Sequence, residues 1–219
     1  QPVMPSKNPF VFLILLGLLF SGFLHCQEVH TEEVAIHNGD ILLPGTLRVP
    51  EGGQARPLLI FIPGSGNIDR DGNQAGTMVQ AAYIRQLGEA LAGSGIAFFS
   101  YDKRTAVPGN LPLLDTVLIR DYVADVRTLV GHFKQDPRFE GIHLLGHSQG
   151  SLVGMLSVME NSPVRSLVSI AGPASPIDSV MFRQLKAQSP DLAREFAGHM
   201  DQLKKGGAMG EVSPPLRPL

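Results

Sequence analysis

The chain has 219 residues, with 18 Lys and Arg against 20 Asp and Glu, a formal net charge of −2, 43% hydrophobic residues and 17% charged ones. That is enough apolar material to core one globular domain and too little for two large ones, and it excludes a disordered chain. The near balance of charge, with no clustered run of Lys and Arg, gives no footprint for nucleic acid or for an anionic membrane surface.

In chain order, Lys7 precedes the apolar run FVFLILLGLLF, Phe10 to Phe20, and the more polar SGFLHCQ follows. A basic start, a short apolar run and a polar end read as a secretory signal peptide over residues 1–26, with export to the periplasm or the exterior. The run is short for a membrane span, so no stable span is expected after cleavage. Cys26 is the sole cysteine; cleavage beside it leaves a mature chain without thiols, disulfides or thiolate metal sites, and lipid attachment at Cys26 is the alternative.

Two extended segments around Asn38-Gly39 predict a hairpin. PLLIFIPG, Pro57 to Gly64, reads as a buried strand. A helix is predicted from Met78 to about Gly93, with Ile84, Leu87 and Leu91 at helical spacing. Ile96 to Asp102 is the next strand, and Leu118, Ile119, Tyr122, Val123, Val126, Leu129, Val130 and Phe133 trace one helical face that Pro137 ends. GIHLLG is a strand, a helix starts near Ser151 or Leu152, and Val164 to Gly172 is a further strand. Strands alternating with helices predict an α/β fold, a mostly parallel sheet with helices on both faces, with its chemistry at the carboxyl ends of the strands. This core is expected over residues 27–172. Residues 173–219 read as polar helices with Pro and Gly breaks, a partial cap or an inserted helical pair.

Gly146-His147-Ser148-Gln149-Gly150 places one serine between two glycines, with a strand before it and a helix after it. That is the setting of a nucleophile elbow, where a tight turn lifts the hydroxyl clear of the sheet at a helix N-terminus. The alternative is a small-residue turn in which Ser148 only caps a helix. Acyl transfer also needs two amide donors aimed at the oxyanion. Gln149 offers one, and Ser65 in the glycine-rich PGSGN, Pro63 to Asn67, offers the other. Asp69, Arg70 and Asp71 beside that loop either shape the pocket or pair among themselves.

On LLIFIPGSGNIDRDGN, LGEALAGSGIAFFSYDKR and IHLLGHSQGSLVG, the chain resembles the α/β-hydrolase superfamily, and its secreted bacterial serine-esterase branch in particular. The likeness runs from about Ile41 to Gly172. It implies Ser148 as nucleophile and the amides of Ser65 and Gln149 as the oxyanion hole. It also implies a small ester-type substrate and no cofactor or metal. One departure is Asp102-Lys103-Arg104-Thr105, where the family often has Asp-x-Arg-Gly. In this family the acid and then the histidine follow the serine. Asp178 or Asp191 with His199 has that order, but the helical pattern around His199 favours a surface place. The last strands of the family are not legible, so the expectation is a chain whose acid and base lie beyond Leu219. Peptidase, acyltransferase and non-catalytic binding functions share the fold.

Overall fold

The computed structural model describes residues 27–159 and 161–216; the expected signal peptide and Cys26 lie outside the described residues. The hairpin around Asn38-Gly39 forms as β1 (Val29–Asn38) and β2 (Ile41–Pro50). The apolar runs become β3 (Arg56–Ile62), β4 (Ala97–Tyr101), β5 (Phe139–His147) and β6 (Val164–Ile170). They lie in one sheet in the order β1-β2-β4-β3-β5-β6. β1 with β2 and β2 with β4 are antiparallel, and β4, β3, β5 and β6 run parallel.

Three helices connect the parallel strands: α1 (Tyr83–Gly93), α2 (Ile119–Phe133) and α3 (Gln149–Val158). The period-two alternation of strand residues decides which face each helix covers. Leu58, Ile60 and Ile62 are buried with Val126, Leu129 and Phe133 of α2 and Val153 of α3. Phe61 and Phe98 instead meet Ile84 of α1. Helices therefore cover both faces, as the alternation of elements predicts.

Two boundaries differ from the sequence expectation. α1 starts at Tyr83 rather than Met78 because the backbone before it is used elsewhere. Gln74 N donates to Val79 O (2.9 Å) and Ala82 N to Asn73 Oδ1 (3.1 Å), while Ala82 takes a left-handed φ of 48°. α3 starts at Gln149, two residues early, because the bend at Ser148 feeds directly into the helix.

Beyond β6 the chain forms α4 (Ile177–Gln188) and α5 (Pro190–Lys204). Ser189 accepts from Leu192 N (3.4 Å) and Pro190 follows it, so the two residues between the helical patterns serve as cap and first turn. The pair has an apolar cluster of its own, Leu185, Ala193, Phe196 and Leu216, separate from the clusters on the sheet. Among the described residues β6 pairs only with β5, and its Val168 and Ile170 are 47% and 44% exposed.

Candidate active site

Ser148 sits in the bend between β5 and α3 with φ 52° and ψ −119°, a conformation that costs a non-glycine residue about 1–3 kcal/mol. The surroundings hold it there. Ser148 N donates to Ile170 O (2.9 Å), Ser151 N to Ser148 O (3.0 Å), and the buried Ser151 hydroxyl to Gly146 O (2.7 Å). The flanking glycines are a steric necessity. A Cβ on Gly146 would lie 2.4 Å from the carbonyl oxygen of Gly150, and one on Gly150 would lie 2.1 Å from that of Ile62. Backbone, not a side chain, stands in the way at both places. The serine itself is half-buried.

The loop after β3 lies against this bend. A Cβ on Gly64 would be 3.3 Å from Cβ of Ser148 and 3.2 Å from Nδ1 of His147. Among the described residues, the amides of Ser65 and Gln149 donate to no protein acceptor. Gln149 is the first residue of α3, where an amide has no partner within the helix and the helix dipole favours negative charge. His147, the residue before Ser148, has a buried Nδ1 with no hydrogen-bond partner among the described residues. Its ring lies edge-on to Tyr83 at 6.3 Å between centroids.

Sequence reasoning missed Lys103. It stands at the carboxyl end of β4 and is 3% exposed. Its Nζ donates to Gly64 O (2.8 Å) and to Gln149 Oε1 (3.1 Å), and lies 4.4 Å from the centroid of the Tyr122 ring. Among the described residues no carboxylate forms an ion pair with it. Burial pushes the ammonium pKa down from 10.5 to about 8. A charged residue closing a buried parallel strand was the available signal.

The other charges near the loop are committed to structure. Arg70 binds Asp102 through Nε (3.1 Å) and Nη2 (2.9 Å) and also pairs with Glu33; the Asp102 hydrogen bond raises its pKa. Asp69 accepts from the amides of Asp71 (2.9 Å) and Asn73 (2.8 Å), closing the turn on itself. Arg104 makes a bidentate pair with buried Asp125 at 2.8 and 2.7 Å.

Asp178 and His199 line one apolar cavity of about 410 Å³, with Ile177, Met181, Met200 and Leu203. No hydrogen bond joins them to each other or to Ser148 among the described residues. Asp178 pairs with Lys204, which lowers its pKa, and caps the amide of Ser179 (2.8 Å). His199 Nε2 is 3.7 Å from Glu195 Oε1. Asp191 pairs with Arg194 on the exposed face of α5. Elsewhere, His143 shares a 2.7 Å hydrogen bond with Ser166 between β5 and β6. Among the described residues no cluster of three His, Cys, Asp or Glu is placed to hold a metal, and no helix is long and apolar enough to cross a membrane.

Against known proteins, the model of the serine aminopeptidase S33 family matches residues 76–205. The chain belongs to this family. The match contains Lys103, Ser148 and Gln149, and Ser65 lies before it. The esterase EstD of Thermotoga maritima is 30% identical over 164 residues, which are 74% of this chain and 38% of EstD. The chain thus spans well under half the length of that relative. A dienelactone hydrolase from Anabaena variabilis has a TM-score of 0.53 at 20% identity, over 66% of this chain and 64% of its own. The Pyrococcus furiosus esterase Pf2001 reaches 0.55 at 17% identity, over 90% of this chain and 66% of its own. These likenesses show the α/β-hydrolase fold.

Proposed function

We propose that the protein hydrolyses a carboxylic ester through an acyl-enzyme formed on Ser148. The observation that carries this reading is the strained bend at Ser148 beside two amides, Ser65 and Gln149, with no acceptor of their own. A base takes the proton from Oγ, and Oγ attacks the carbonyl carbon. The carbonyl oxygen gains the charge, and the two N–H groups stabilise it. Collapse expels the alcohol, and water then releases the acyl group from the serine. The esterase name of the Thermotoga relative agrees with this substrate class. Thioesters and small amides follow the same steps, and neither metal nor organic cofactor enters them.

Asp178 pairs with Lys204, His199 Nε2 lies 3.7 Å from Glu195 Oε1 without a hydrogen bond, and among the described residues neither is hydrogen-bonded to Ser148. Export by the amino-terminal signal is part of the same proposal.

A fluorophosphonate probe on the full-length protein tests the assignment. The wild type is expected to label and Ser148→Ala to lose both the label and at least about 10³-fold of p-nitrophenyl ester turnover. A folded wild type that takes no label overturns it. The family's description favours one second reading, cleavage of an amide after an amino-terminal residue. Aminoacyl p-nitroanilides assayed beside p-nitrophenyl esters separate the two.

A further inference from the structure

Lys103 is the one element of this site that the proposed chemistry leaves without a task. Its position is demanding. An ammonium removed from water with no carboxylate beside it is unfavourable, and a fold that needed only to fill the space would place an apolar side chain there. Its two acceptors share one property. Each belongs to a residue that touches a proposed oxyanion donor.

The first acceptor is the Gly64 carbonyl, 2.8 Å from Nζ. That C=O and the N–H of Ser65 are the two ends of one peptide unit. In a planar trans peptide they point in opposite directions. A cation gripping the oxygen therefore turns the Ser65 N–H to the other side of the unit and keeps it there. It also draws electron density toward the oxygen, which makes the N–H a stronger donor. The second acceptor is Oε1 of Gln149 at 3.1 Å, the side chain of the residue whose main-chain N–H is the other donor. Tyr122 closes the remaining side with its ring face, an attraction for a cation that brings no competing negative charge.

We propose that Lys103 is a positioning residue that links Gly64 to Gln149 and thereby sets the direction and strength of both oxyanion donors. The proposal rests on the serine-hydrolase reading for its effect on rate, but the link itself does not. Lys103 touches no reacting atom. Its charge is left uncompensated in the resting site and is best offset when negative charge collects at the oxyanion, so its effect falls on kcat rather than KM.

The titratable groups around Nζ are few. Tyr122 on α2 has a phenol that burial raises. His147, at the end of β5, faces Gly64. The flanking Asp102 and Arg104 are committed to Arg70 and Asp125. With Lys103 losing its proton at about 8, the polarising charge is present below that pH and lost above it.

The experiment compares full-length wild type, Lys103→Met and Lys103→Arg on a p-nitrophenyl ester from about pH 6 to pH 10. Lys103→Met is expected to lower kcat about 30- to 100-fold with KM within about threefold, a loss below that of deleting a donor outright. The fall in wild-type kcat above about pH 8 should vanish in this variant. Lys103→Arg should recover about tenfold and keep its charge at every pH in the range. Turnover of Lys103→Met within about threefold of wild type, a loss carried by KM, or an unchanged alkaline fall overturns the proposal. A second arm needs neither activity nor a lysine substitution. In Ser148→Ala, the ¹⁵N amide resonances of Ser65 and Gln149 should shift together with a midpoint near 8. Amide resonances of Ser65 and Gln149 that stay static while the Lys103 side-chain ¹³Cε resonance titrates overturn the link. A wild type that neither labels nor turns over defeats the serine reading instead, and the amide titration still decides whether Lys103 holds the two donors.

Discussion

At Ser148 the backbone dihedrals do what the side chain alone cannot. On the proposed reading the hydroxyl becomes useful because the chain is bent so sharply that only glycine fits two residues to either side. Gly150 is the more constrained of the two, since its added Cβ would fall 2.1 Å from the Ile62 carbonyl oxygen on the neighbouring strand. Gly150→Ala should therefore separate α3 from the end of β3. We expect a loss of about 2–3 kcal/mol in denaturant unfolding and a larger proportional loss of labelling at Ser148. This part of the site was legible in the sequence, because a glycine requirement is written in residue identity. The hold of Lys103 was not. It depends on three loops converging from separate strands, and the residues it joins are 39 and 46 positions away. A lysine read along the chain looks like any surface lysine, and the same four letters, Asp102 to Thr105, were noticed only as a departure from a family pattern.

Among the elements, the strands were the best read, because buried parallel strands carry uninterrupted apolar runs. Boundaries set by side chain-to-backbone bonds were read less well. α1 begins five residues late because Asn73 and Thr77 claim the amides of Ala82 and Val79, and nothing in helical spacing announces that. The connection after β4 has a firmer anchor. Arg104 pairs with Asp125 on α2, Asp125 also accepts from Asn38 (2.8 Å), and Asn110 donates to the Arg104 carbonyl (3.1 Å). With Asp125 only 1% exposed, Asp125→Ala leaves a guanidinium buried without its charge partner. It should cost about 3–5 kcal/mol by urea titration, whereas exposed pairs such as Asp191 with Arg194 should cost about 1 kcal/mol or less.

Over the whole molecule, the sheet is well covered near β3 and β4 and thinly covered at β6. That strand presents an unpaired edge among the described residues, with Val168 and Ile170 close to half exposed. An apolar open edge is a template for pairing with another chain. The 219-residue chain produced by itself should associate with increasing concentration, and Val168→Lys should reduce that association in light scattering without altering the far-ultraviolet circular dichroism. The contacts of Lys103 carry a different consequence. They join segments that follow β3, β4 and β5, so no local stretch of chain can organise the donors by itself. A molecule collapsed with one of these three strands misplaced would lack the arrangement altogether. On the proposed reading, reactivity at Ser148 would then appear in a single step, at the close of folding.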